Sequence, residues 1–366
     1  MLANDPYARA GVDTRAGDRA VELMKRSVAS TRRPEVLGGI GGFAGLWDAS
    51  ALAAYRRPVL ATSTDGVGTK VAIAQALDRH DTVGQDLVAM IVDDLVVVGA
   101  RPLFLTDYIA CGHVVPERIA TLVAGIADAC RETGTALLGG ETAEHPDLLG
   151  PDEYDLAGAA VGVVEADALL GPDRVRPGDV VLGMASSGLH SNGFSLVRRV
   201  LADAGVEFTD EVEGIAGPIG ETLLTPTRLY TMPLLQVLDG PNGAAVHALG
   251  HVTGGGIAAN LARVLPQGTA AEIDRGAWTP HPVFGVLARL GGFGLQEAEG
   301  TWNLGLGMLA VVDAAAAGAV AAELTGTGIA TTPVATVTAG SPEGDGYERG
   351  AKGVDGGAVR LVGTWR

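Results

Sequence analysis

Between Pro58 and Glu165 the chain alternates between segments with the composition of strands and segments with the composition of helices. No other feature limits the possible architecture so much. PVLATSTD reads as a strand, VGQDLVAMIVDDLVVVGA as an apolar helix and RPLFLTDYIA as a second strand. PERIATLVAGIADACRETG then reads as a helix with proline at its start, ALLGGETAE as strand then loop, and YDLAGAAVGVVE as a further strand. Such alternation requires helices layered on a sheet, an α/β or α+β arrangement.

Pro172, Pro177 and Gly178 cluster in ALLGPDRVRPGD (168–179) and break this pattern. It then restarts with strand VVLGMAS, helices NGFSLVRRVLADAG and TPTRLYTMPLLQVLDG, and a loop HVTGGG leading into helix IAANLARVL. Two domains are therefore expected, 1–170 and 171–366, the second an α/β domain. SPEGDGYERGAKGVDGG (341–357) is expected as a polar, glycine-rich loop before a last strand, AVRLVG.

The 366 residues are 47% apolar and 19% charged, a globular balance with enough length for a sizeable core. No apolar run reaches the roughly 20 residues of a membrane helix, and no secretory leader is seen, so a cytoplasmic protein without membrane contact is expected. Cys111 and Cys130 form no CxxC pair, which argues against a disulfide framework or a thiolate metal site. A net charge of −17 argues against nucleic acid as a partner, because a basic face is needed to release counterions. Only three of the 26 basic residues are lysines, and one of them, Lys70, lies in a glycine loop.

That loop, TSTDGVGTK (62–70), follows a strand and precedes a helical run, as a phosphate loop does. It is not a Walker loop: Gly66 and Gly68 are too close together, and Thr69 precedes Lys70 instead of following it. Asp65 would repel phosphate unless a divalent cation lay between them. An isolated Asp-Gly is also a common capped turn. Asp65 has company, however. Asp93-Asp94 interrupts an apolar helix, Asp107 ends FLTD, and Glu141 and Glu144 follow Gly139-Gly140, so carboxylates gather at strand ends, where α/β folds place ligands.

Other motifs exclude more than they assign. GGIGGF (38–43) lacks the preceding strand of a dinucleotide fingerprint, and with Arg32 and Arg33 beside it suits a lid over phosphates. His247 and His251 have the spacing of a zinc helix, but the glutamate is missing and Gly250 breaks the helix. GMASSG has alanine where a nucleophile elbow needs serine. His190, between Gly188 and Gly193 in SSGLHSNG, is a loop histidine open to a structural or a chemical role.

Taken in order, TRRPEVLGGIGGF, STDGVGTK, GQDLVAM, DDLVVVGARPLF, GGETAE, SSGLHSNGFSLVR, TPTRLY and HVTGGG resemble the phosphoribosylformylglycinamidine cyclo-ligase family of purine biosynthesis, from about Tyr7 to about Val337. The resemblance implies a homodimer whose N-terminal mixed sheets pair into a barrel, with ATP and Mg²⁺ as cofactors and a phosphoribosyl amidine as substrate. It implies phosphorylation of the formyl amide oxygen, followed by ring closure through the amidine nitrogen with loss of phosphate. On this reading Asp65, Asp94 and Glu141 hold Mg²⁺. The nucleotide would be met by Gly38, Gly39, Gly41, Gly42, Thr64, Gly66, Gly68, Lys70 and Gly140, with Arg32 and Arg33 closing over it. His190, His251 and Asp107, with Lys70, would serve the chemistry. Two relatives in the superfamily fit less well: selenophosphate synthetase calls for a reactive cysteine near the N-terminus, and thiamine-monophosphate kinase for a GDD-type loop.

Overall fold

The computed structural model describes residues 14–342 and 344–365 and divides into two compact units, one of residues 14–95 and 100–166 and one of residues 96–99 and 167–365. The break thus falls just before the proline-rich segment that disrupts the sequence pattern.

In the first unit, helix α1 (Thr14–Ser30) leads into a two-stranded ribbon of β1 (Val36–Leu37) and β2 (Leu46–Trp47). Next come β3 (Pro58–Gly66), the short helix α2 (Val71–Ala76), α3 (Val83–Val97), β4 (Arg101–Cys111), α4 (Pro116–Glu132), β5 (Ala136–Glu144) and β6 (Tyr154–Glu165). The four long strands form a mixed sheet in the order β3-β6-β4-β5, antiparallel except for β4 beside β5. β4–α4–β5 is the expected crossover, and Pro116 opens α4 where a missing N–H is harmless. α3 packs so closely on β6 that a Cβ added at Gly158 would lie 2.9 Å from Ile91 Cδ1. On the other face Leu60 and Tyr108 are 58% and 40% exposed.

The second unit contains β7 (Val180–Ala185), α5 (Phe194–Ala204), α6 (Ile219–Leu223), α7 (Thr231–Asp239), β8 (Val246–His251), α8 (Gly256–Ala262), β9 (Thr269–Asp274), α9 (Pro282–Gly291), β10 (Leu306–Val312), α10 (Ala317–Gly326), β11 (Thr331–Ala339), β12 (Glu348–Ala351) and β13 (Val354–Val362). Its seven strands lie in the order β12-β13-β9-β11-β7-β10-β8. Every residue of β10 is buried, as expected of a central strand covered on both faces. Three expectations need correction. TPTRLY is not helical; α7 begins only at Thr231. ALLGGETAE remains a strand to Glu144. The stretch 341–357 is not all loop, since it carries β12 and the start of β13 as a hairpin. Among the described residues no helix is long and apolar enough to cross a membrane.

Candidate active site

In the first unit one row of the sheet register runs Asp65, Gly158, Asp107, Gly140, one residue from each strand. Residues directly opposite share a face, so both aspartates lie on the face that carries α3. Gly140 makes room for Asp107: a Cβ there would stand 2.3 Å from Asp107 Oδ1. Burial pushes the Asp107 carboxyl up to about 7, with only its own backbone amide opposing the rise. Burial also raises the Cys130 thiol, and the charge of Asp107 adds to that effect. Asp65 is exposed near the end of β3, and its Oδ1 accepts the Gly66 N–H at 2.7 Å.

Beyond Asp65 the chain turns through Gly68, at φ +71, into a 3₁₀ turn that ends on Lys70. Lys70 is fully buried, and its Nζ lies 2.9 and 2.8 Å from the two carboxylate oxygens of Asp86 on α3, which is buried too. Desolvation pulls the Lys70 pKa down and Asp86 opposes the fall. The ammonium therefore anchors the glycine turn to α3 instead of standing out towards phosphates, where the sequence reading put it. Thr64 is exposed on the opposite face of β3, while Gly66 and Gly68 line the turn.

Of the expected cation ligands, Asp65 lies on the face that carries α3. Asp94 is exposed on α3 beside a fully buried Asp93. Glu141 pairs in register with Tyr108, one residue on from Asp107, and so lies on the other face of the sheet. The one trio of ligand atoms within 4.8 Å of one another, among the described residues, is Asp179, His247 and Asp313 in the second unit. There His247 Nδ1 is already 2.7 Å from Asp179 Oδ2. His247 and His251 stand at opposite ends of the strand β8, so their helix-like spacing joins nothing.

Gly38, Gly39, Gly41 and Gly42 lie in the exposed turn between β1 and β2, with Phe43 fully exposed beyond them. A pocket of about 270 Å³ opens beneath, lined among others by Lys25, Val28, Arg32, Ile40 and Leu138. Arg32 donates to the Gly38 carbonyl. Arg33 Nη1 donates to Gly134 O at 2.7 Å, and its guanidinium stacks on Trp47, 5.2 Å from the ring centre.

In the second unit β7 and β8 run the same way on either side of β10, so the SSGLHSNG and HVTGGG motifs leave the sheet at one edge. His190 is 1% exposed and adopts φ +63, a conformation unusual outside glycine. Its Nε2 accepts the Ser187 N–H at 3.1 Å, which leaves the ring proton on Nδ1. The imidazole occupies the space a side chain at Gly307 would need, with Cε1 2.3 Å from the added Cβ. His251 pairs in register with Met308, and Val252 N donates to Gly307 O, so both histidines abut the Gly307–Met308 step. Three residues hold the His190 loop, and of these only Tyr230 falls in a quoted motif, TPTRLY. Asn303 Nδ2 donates to Gly188 O at 2.9 Å, His281 Nε2 meets Ser186 O at 3.0 Å, and Tyr230 OH donates to Ala185 O at 2.8 Å. They lie far off in sequence, and only the fold brings them in.

Known proteins resemble this chain in sequence and in fold. The family description "AIR synthase related protein" matches residues 47–164 by its N-terminal domain and 176–345 by its C-terminal domain. The phosphoribosylformylglycinamidine cyclo-ligase of Geobacillus thermodenitrificans is 51% identical over 307 residues, 84% of this chain and 88% of that protein. That of Thermosynechococcus vestitus is 49% identical over 337 residues, 92% and 97% of the two. In fold the chain resembles a thiamine-monophosphate kinase from Stenotrophomonas maltophilia (TM-score 0.65, 19% identity, 93% and 96% covered). It also resembles a hydrogenase maturation protein HypE solved with ATP (TM-score 0.59, 20% identity, 88% and 86% covered). With about half of the aligned residues identical to these enzymes over most of its length, the chain belongs to the phosphoribosylformylglycinamidine cyclo-ligase family.

Proposed function

We propose that this protein closes the imidazole ring of 5-aminoimidazole ribonucleotide from formylglycinamidine ribonucleotide, converting ATP to ADP and phosphate. The observation that carries this reading is the roughly 50% identity to cyclo-ligases over most of both chains. An amide carbon is a poor electrophile with a poor leaving group. Transfer of the γ-phosphoryl group to the formyl amide oxygen gives an iminophosphate, the ribose-bearing amidine nitrogen attacks that carbon, and phosphate leaves. The protein's work is then to position, neutralise charge and move protons.

In the first unit the Asp65–Asp107 row is the donor set that suits a divalent cation. One carboxylate is exposed, the other is held near 7 by burial, and an adjacent positive charge would pull it down. Mg²⁺ there would supply the positive charge that lets phosphates approach Asp65; Glu141 lies on the other face of the sheet. The exposed glycines 38–42 and Arg32 close over the nucleotide, and Lys70 acts through Asp86 to hold the Gly66–Gly68 turn in place. In the second unit His190 and His251 shape the loop edge that receives the amidine. The open sheet face bearing Leu60, Thr62, Thr64 and Tyr108 is covered by a second copy, so that the paired sheets close into a barrel. The direct test is aminoimidazole formation from the purified protein, ATP, Mg²⁺ and the amidine ribonucleotide. No product above a blank lacking enzyme would overturn the assignment.

A further inference from the structure

β10 runs antiparallel to both β7 and β8, β11 runs antiparallel to both β7 and β9, and β13 lies parallel to β9. The carboxyl ends of β7, β8, β9 and β13 therefore share one edge of the sheet. Two of the segments that leave this edge carry the SSGLHSNG and HVTGGG motifs. Another, Gly363–Trp365, lies beyond residue 345, where the family match ends.

Arg275, the first residue after β9, is 9% exposed and ties these segments together. Its Nε and Nη2 donate to the two carboxylate oxygens of Glu299 at 2.6 and 2.9 Å, a bidentate pair. Its Nη1 donates to Gly363 O at 3.1 Å, and the Trp365 ring centre lies 5.4 Å from its guanidinium carbon. Trp365 in turn packs edge-on against Trp278, centres 6.2 Å apart. The segment Glu299–Trp302 that Arg275 grips is wedged against both motif loops. A Cβ at Gly256 would stand 1.7 Å from Glu299 O, and one at Gly193 would stand 2.4 Å from Trp302 Cδ1. Both glycines have positive φ, 69° and 79°.

We propose that Arg275, clasped by Gly363 and Trp365, is a positioning residue for turns 186–193 and 252–256, so that the C-terminal segment serves substrate binding. This rests on the reading that those turns face the amidine substrate. The guanidinium connects the chain's last described residues to the wedge against both turns.

The test uses the full-length protein with Arg275→Lys, Trp365→Ala and the conservative Trp365→Phe. Arg275→Lys keeps the charge and loses the fork that spans Glu299 and Gly363. It should raise KM for the amidine ribonucleotide about tenfold while kcat stays within about twofold, the size of effect expected for groups coupled in one network. Trp365→Ala should act in the same direction, and Trp365→Phe should restore most of the loss. Amide exchange should quicken at 252–256 and 188–193 but not along β10. Variants that melt earlier yet keep wild-type KM and wild-type exchange in both turns would overturn the proposal and leave a stability staple. A wild-type protein that forms no aminoimidazole would overturn the proposed reaction instead, while the exchange result would still decide the clasp.

Discussion

Asp65 and Asp107 stand on the same face of one sheet, with Gly158 of β6 directly between them in register. The spacer has no side chain, and Ile91 of α3 packs over it. Asp65→Asn keeps the hydrogen bond to Gly66 and removes the charge. Turnover should fall on the order of a thousandfold, the scale of losing a charged metal ligand. The deficit should shrink as Mg²⁺ is raised; wild-type turnover at low Mg²⁺ would make Asp65 a turn residue only.

Asp107 makes a prediction about pH. Its folded pKa, about 7, lies above its ordinary value of 3.8. Between the two the folded chain holds a proton that the unfolded chain has released. Stability should therefore fall as pH rises from about 4 to about 7, by up to about 1.4 kcal/mol per unit, and level off above that. Asp107→Asn should flatten that part of the profile, and Mg²⁺ should flatten it in the wild type. Urea midpoints across pH 4–8 check both, and identical wild-type and variant slopes would remove Asp107 as the cause.

The Lys70–Asp86 pair is fully buried, so removing one partner takes the counter-charge from a desolvated ion. Asp86→Asn should destabilise by about 3–5 kcal/mol, whereas the double change Lys70→Met, Asp86→Leu should cost far less. Chemical denaturation of the three proteins gives the answer. A double variant as weak as the single one would mean that the pair is not what the site tolerates losing.

His190 is buried, not a free loop side chain, which alters what its removal should do. His190→Ala opens a hole beside Gly307 and removes the acceptor of the Ser187 N–H. Stability should fall by about 2–3 kcal/mol along with turnover. Melting and steady-state kinetics on one preparation separate the two losses, and an unchanged melting temperature would contradict the packing described above.

Leu60 offers the plainest test of self-association. It is more than half exposed on an open sheet face, so Leu60→Asp should shift the protein towards monomer in sedimentation while leaving its secondary structure intact. If the wild type is itself monomeric at micromolar concentration, that face has another use.

The layered alternation of the first unit was legible because strands and helices there carry their periods openly, and PERIATLVAGIADACRE folds as read. Asp65 and Asp107 were legible as residues, but their sharing of a row was not, since that depends on the register of β6 between them. The face on which Glu141 lies was hidden for a similar reason: a one-residue step along a strand reverses it. The pairing of Lys70 was not legible, because its partner Asp86 is hidden in an apolar helix sixteen positions away. SPEGDGYERGAKGVDGG reads as loop by composition, yet β12 within it pairs with β13, and β13 in turn is held along β9 by residues 358–362, a neighbour that only tertiary structure reveals.

β13 lies between β12 and β9 in the sheet, although β9 was made some eighty residues before it. During synthesis, then, β9 must wait with one side unpaired until residues 354–362 emerge. Until that moment the nascent chain offers a strand edge to its neighbours, the sort of surface through which chains join one another. A chain released before Val354 would keep that edge for good. Premature termination near the C-terminus should accordingly yield aggregates of otherwise folded protein instead of a slightly shortened enzyme.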